Sequence, residues 1–236
     1  MRVLFSIYVW FYHSILFLIF FLIIAFVYLI TTWFDRYNRI TNKILSAMAW
    51  CMMRPSPAWH IHIEGQENYD SSKPTIFIAN HQSFMDIPLA YQLRWNMKWV
   101  VKHSMTYIPV MGWMVKLTGQ LTINRSSKGA LKRLEKLVQP LNERVPVMIF
   151  PEGTRALDGE IKAFKNGAFL LAKEHGFLIQ PIVIDGTYSA LPSGSMLFNP
   201  SAKFKLRVLD AIDPANFDSM DALKNHARSV IVDGHA

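Results

Sequence analysis

A histidine and an aspartate five positions apart, His81 and Asp86, sit in the segment Asn80-His81-Gln82-Ser83-Phe84-Met85-Asp86, directly after the apolar run Thr75–Ala79. On one regular helix the two side chains would point ~140° apart and never meet. They can pair if His81 lies in the loop that leaves a strand and Asp86 in the first turn of the helix that follows, with Ser83 as its N-cap. That arrangement gives an imidazole oriented by a carboxylate, the requirement for a general base. The same letters serve a plainer purpose. Ser83-x-x-Asp86 is a capping-box pattern, in which Asp86 only satisfies a backbone donor.

A second stretch, Phe150-Pro151-Glu152-Gly153-Thr154-Arg155, ends the apolar strand Val145–Phe150. Gly153 lets backbone approach a ligand, and Arg155 can grip phosphate with two hydrogen bonds, so the loop suits an anion. A strand-to-turn exit with a solvated arginine fits the same residues. A third stretch, Gly119 to Arg125, is a short strand ending in a cation, and a fourth, Gln180-Pro181-Ile182-Val183-Ile184, is an apolar strand. Lys102 ends another strand and can add positive charge, or be an ordinary surface lysine. No Gly-x-Ser-x-Gly elbow occurs, which disfavours a serine hydrolase, and the absence of a Walker A loop and of Gly-x-Gly-x-x-Gly removes the commonest nucleotide-loop readings.

The elements that must hold these residues alternate. β-rich runs at Trp59–Ile63, Thr75–Ala79, Lys98–Val101, Leu121–Ile123, Val145–Phe150, Ile179–Ile184 and Phe204–Leu209 are interleaved with helical spacing at Ile87–Leu93, Ala130–Asn142 and Gly167–His175, with Gly176 as a C-cap. The pattern predicts an α/β fold with a largely parallel mixed sheet flanked by helices, whose sites form at the carboxyl ends of the strands. His60 and His62 alternate with Trp59, Ile61 and Ile63 and are expected on a solvated strand face.

Ahead of this domain, Val3 to Phe34 contains no charged residue, and a helix of that length spans roughly 48 Å against a ~30 Å hydrocarbon core. The segment predicts an N-terminal membrane helix that crosses with tilt or lies partly in the interface. Without it, the remaining composition is that of an ordinary soluble domain. His13 lies inside it, where an ionisable group is either functional or near enough to the end to reach the interface. Asp35 to Met53 has the spacing of an amphipathic helix, on the membrane or packed on the core. Arg54-Pro55-Ser56-Pro57 marks a boundary between a 1–57 anchor and a 58–236 catalytic domain. Arg36, Arg39, Lys43 and Arg54 follow the apolar segment, while Arg2 stands alone before it, so the domain is expected to face the cytoplasm. The net charge of +8 suits anionic lipid surfaces and phosphate-bearing substrates. No nucleic-acid motif accompanies it, and a single cysteine, Cys51, leaves no Cys-rich metal site; no metal is expected.

Taken in order from Asn80 to Pro181, the four blocks resemble those of the glycerolipid acyltransferases of the 1-acylglycerol-3-phosphate acyltransferase type. Thr122, where an aromatic is usual, and Ala156, where serine often follows the third block, depart from that pattern. The resemblance implies transfer of a fatty acyl group from a thioester donor, acyl-CoA or acyl carrier protein, to the sn-2 hydroxyl of lysophosphatidate, giving phosphatidic acid without a bound cofactor. It implies His81 as general base, Asp86 as its orienting partner, and Arg125, Arg155 and Lys102 as phosphate ligands. Glu152 is expected to orient Arg155 or the loop, and Gly153 and Thr154 to shape it around the acceptor. Glycerol 3-phosphate, a lyso-ornithine lipid or another lysophospholipid stand as alternative acceptors. An inactive membrane-anchored lipid-binding protein is the alternative of another class.

Overall fold

The structure, a computed structural model, describes residues 1–123 and 134–235. Arg125, and the expected helix from Ala130 as far as residue 133, lie outside the described residues.

The chain opens with α1 (Arg2–Thr31), about 45 Å long at ~1.5 Å per residue. It is long and apolar enough to cross a membrane. Its two faces differ. Leu4, Ile7, Phe11, Ile15, Leu18, Leu22, Phe26 and Leu29 form an exposed stripe at helical spacing. Ser6, Val9, His13 and Ile24 are buried on the other side. Helix α2 (Arg39–Met52) follows, and Asp35 Oδ2 accepts from the Ile40 N–H at its start, 2.7 Å away. It is held by packing: Met48 and Met52 meet Ile24 of α1, and Ala49 faces the main core. Of the two placements its amphipathic spacing allows, the structure shows the one packed on the core.

The remaining elements alternate as the spacing predicts. They are β1 (Trp59–Glu64), β2 (Thr75–Ala79), α3 (Asp86–Ala90), β3 (Lys98–Lys102), α4 (Met111–Leu117) and β4 (Leu121–Ile123). After the undescribed residues come α5 (Val138–Asn142), β5 (Val147–Ile149), α6 (Gly167–His175), β6 (Leu178–Asp185), α7 (Thr187–Ala190), β7 (Ala202–Val208) and α8 (Met220–Gly234). The sheet order is β1-β7-β6-β2-β5-β3-β4, and among the described strand pairings β6–β7 alone is antiparallel. β5 begins later than expected because Pro146 has no N–H to give the ladder and contributes only its carbonyl, which accepts from Lys98 N at 2.8 Å.

One core cluster joins Phe77, Met148 and Ile182 of the sheet with Val9, Ala49 and Met53, so residues on either side of position 57 share it. The docking of α1 is polar as well as apolar. Phe198 N donates to Ser6 Oγ at 2.8 Å, Trp10 Nε1 donates to Met196 O at 2.9 Å, and the buried His13 Nε2 lies 3.0 Å from Met52 O. His13 thus has a partner inside the protein. His60 and His62 are exposed, as their strand alternation predicts.

Candidate active site

The loop after β2 is fixed from three sides before any substrate is considered. Asn80, fully buried, bridges to β6 through Nδ2 to Ile184 O at 2.7 Å and Ile184 N to Oδ1 at 2.8 Å. His81 N donates to Glu152 Oε1 at 2.7 Å, and Ala156 N donates to His81 O at 2.8 Å. The backbone of residue 81 is therefore held by the loop after β5.

Asp86 is the first residue of α3 and is wholly buried. Its Oδ2 lies 2.7 Å from His81 Nδ1 and also accepts from the N–H groups of Gln82 at 2.7 Å and Ser83 at 2.9 Å. The capping contact and the histidine contact are both present, on one oxygen. The backbone donors fix the carboxylate, and the carboxylate fixes the imidazole. Ser83 is not the N-cap of α3. Its Oγ donates to Leu191 O at 2.6 Å and accepts from Met85 N at 3.2 Å, so the helix starts at Asp86 with Met85 before it. The Phe150 ring stacks on the imidazole with centroids 3.8 Å apart and planes 8° from parallel. Held on one face and at Nδ1, the ring keeps Nε2 for a reactant.

Glu152 is 3 % exposed, and Oε2 accepts from Lys162 N at 3.0 Å while Oε1 takes the His81 N–H. Burial pushes its carboxyl above the usual range, against the pull of those two N–H groups. It braces the loop by way of His81 and Lys162, and no contact joins it to Arg155 among the described residues. Gly153 has φ +74°, and a Cβ there would lie 2.7 Å from Lys165 Nζ. Lys165 thus crosses this turn, a cation beside the loop that its place ten residues beyond Arg155 does not announce.

A cavity of about 420 Å³ opens beside His81. Lys102, Thr154 and Arg155, all exposed, stand with His81 and Phe150 at the carboxyl ends of β2, β3 and β5. Deeper, the lining turns apolar, with Phe17 from α1, Leu45, Met48 and Ala49 from α2, and Met114 from α4. Trp99, three residues down β3 from Lys102, lies ~10 Å further in. Gln120 closes that end, accepting from Trp99 N at 2.8 Å and donating to Asn42 Oδ1 at 2.6 Å. The structure brings His81, Asp86, Lys102, Thr154 and Arg155 together. It puts Glu152 and Gly153 behind the surface as supports.

Residues 60–185, more than half of the chain, match the Acyltransferase family. A 1-acyl-sn-glycerol-3-phosphate acyltransferase of Chlamydomonas reinhardtii is 39% identical over 163 residues, which is 68% of this chain and 49% of that protein. A chloroplastic 1-acyl-sn-glycerol-3-phosphate acyltransferase of Arabidopsis thaliana is 33% identical over 203 residues, 85% of this chain and 56% of that protein. The chain spans about half the length of these curated relatives. The crystal structure of the 1-acyl-sn-glycerophosphate acyltransferase from Thermotoga maritima superposes with a TM-score of 0.84 at 26% identity, over 99% of this chain and 94% of that one. That neighbour shares the arrangement of a largely parallel sheet between helices and extends the likeness well past residues 60–185. With a family match over more than half its length and relatives above 30% identity, the chain belongs to the acyltransferase family.

Proposed function

We propose that the protein transfers a fatty acyl group from a thioester donor to the sn-2 hydroxyl of lysophosphatidate, with His81 as general base. The observation that carries this reading is the 2.7 Å contact of His81 Nδ1 with Asp86 Oδ2 at the mouth of a cavity that is cationic outside and apolar within. Asp86 holds the proton on Nδ1, which leaves Nε2 to take the proton of the attacking hydroxyl. The hydroxyl oxygen then bonds to the thioester carbonyl carbon, the C–S bond breaks, and the departing sulfur takes the proton back from the imidazolium. No covalent enzyme intermediate and no cofactor is required. Lys102 and Arg155 suit the acceptor's phosphate, and Arg125 is proposed as a third ligand from its place in the sequence. The apolar depth of the cavity suits an acyl chain. The names carried by the relatives agree with this acceptor.

The site is proposed to work at a membrane surface. The exposed stripe of α1 is apolar along its whole length, and Tyr107, Ile108 and Trp113 are exposed nearby, with Trp113 against Phe21 of α1. A helix docked on its domain along one face and apolar on the other fits an anchor lying in one leaflet, with the domain on the cytoplasmic side.

The test is acyl transfer to lysophosphatidate in mixed micelles from labelled oleoyl-CoA and, separately, oleoyl-acyl carrier protein. Loss of transfer in His81→Ala with unchanged thermal unfolding is the expected result. A folded native chain that acylates lysophosphatidate from neither donor, or a His81→Ala variant with native rates, overturns the reading.

A further inference from the structure

Gln82 follows His81 directly and is 3 % exposed. Its Nε2 donates to Gly159 O at 2.8 Å and lies 3.0 Å from Nε2 of His235, at the end of α8. An amide nitrogen only donates, so His235 Nε2 is the accepting nitrogen and the ring proton sits on Nδ1. The reversed amide would set two carbonyl oxygens against each other at Gly159. His235 Nδ1 in turn faces Asp185 Oδ1 at the end of β6, and Asp185 Oδ2 accepts from Arg207 Nη2 at 2.9 Å. Burial works against that carboxylate, but His235 and Arg207 together hold it below the usual range. A second histidine–carboxylate couple therefore stands behind the first, touching the residue next to His81.

What Gln82 grips is the loop that continues from Arg155. That loop is tied at Ala156 N to His81 O, at Leu157 O by the Tyr188 hydroxyl (2.9 Å), and at Gly159 O by Gln82. Helix α8 adds Arg228, which donates to Ile161 O at 2.7 Å and Lys162 O at 3.2 Å. We propose that His235, oriented by Asp185, is a positioning residue: by accepting from Gln82 it clasps α8 to the catalytic loop and holds the 156–162 loop, and with it Arg155, in place. Its effect on the reaction rests on the reading of Arg155 as a ligand of the acceptor's phosphate. Beside its bonds to that loop through Ala156 and Glu152, the couple of His81 and Asp86 keeps ties that do not pass through His235, from Asn80 to Ile184 and from the backbone of Gln82 and Ser83 to Asp86. Loss of His235 should therefore weaken acceptor binding and spare turnover.

The experiment compares the full chain with His235→Ala, His235→Gln and Arg155→Ala in micelles, reading KM for lysophosphatidate, kcat, and hydrogen exchange of peptides covering 156–162. In His235→Ala, exchange should quicken and KM rise roughly threefold to tenfold, the size of one lost hydrogen bond, with kcat within about twofold. Glutamine places an oxygen near the position of the accepting nitrogen and should restore both. Protonating His235 puts an N–H against the Gln82 amide, so from about pH 8 to about pH 6 KM should rise more steeply in the native protein than in His235→Gln. The groups facing His235 are Asp185 from β6, which raises its pKa, Arg207 from β7, which opposes, and Glu160 from the loop. Native exchange in His235→Ala, or no recovery in His235→Gln, overturns the proposal. Faster exchange with unaltered KM in both His235→Ala and Arg155→Ala supports the clasp and overturns the reading of Arg155 instead.

Discussion

Asp86 Oδ2 meets three donors at once: the His81 imidazole and the N–H groups of Gln82 and Ser83. Asparagine has nearly the same shape, and its oxygen would stay with the two backbone donors. The same oxygen also meets His81, so what asparagine loses is the negative charge that stabilises the imidazolium, while its NH2 takes the buried Oδ1 position, which has no partner among the described residues. We expect Asp86→Asn to fold and to lose activity on the order of 10³- to 10⁴-fold in kcat. Native kcat in a folded Asp86→Asn protein would remove Asp86 from the mechanism. The pairing itself was legible in the sequence, because a five-residue spacing excludes a shared helix face and leaves a strand–loop–helix corner. The start of α3 was not. Ser83 has the letter of an N-cap, but the carbonyl that claims its hydroxyl, Leu191, is 108 residues away, a distance no local pattern reports. His235 lies beyond such patterns for the same reason, 153 residues from Gln82.

At the scale of elements, strand β2 and helix α6 coincide with their periodic stretches, and Gly176 ends α6 in the left-handed conformation its C-cap position predicts, at φ +71°. Such elements are readable because local propensity and burial agree. Helix α4 has only seven residues, lacks a side-chain cap and follows Val110 at φ +63°, so its formation depends on packing against α1 and α2. Helix α8 is not among the helical stretches read from the sequence, although Ser219 caps it and Leu223, Ala227 and Ile231 share its buried face. The loop after β5 depends on one backbone conformation. Gly153→Ala would force a Cβ onto φ +74° and into the path of Lys165. It should cost about 1–2 kcal/mol, lowering Tm by a few degrees, and raise KM for the acceptor by displacing Arg155. An unchanged Tm and KM would show that the turn tolerates the methyl group.

For the whole molecule, the connection between helices and sheet runs through buried polar groups as well as apolar ones. Lys98, 3 % exposed on β3, donates to Thr118 O at 2.6 Å beyond α4 and to Asn38 O at 3.3 Å before α2. Burial lowers its pKa to about 7, with Asp35 opposing and Arg39 adding to the shift. Between that value and the ~10.4 of an unfolded lysine, the unfolded chain binds more protons, so raising the pH favours the fold. Tm should climb from about pH 7 to about pH 9 more steeply in the native protein than in Lys98→Met, and parallel curves would count against this. The cavity wall has a further consequence. Phe17 of α1 lines it from one side while the opposite stripe of the same helix is bare hydrocarbon, so only one helix thickness separates the apolar depth of the cavity from whatever bathes that stripe. If that medium is lipid, the acceptor arrives by lateral diffusion, and its mole fraction in the surface governs the rate. Adding inert phospholipid at constant bulk lysophosphatidate should then slow the reaction by surface dilution, whereas an enzyme fed from water would not respond.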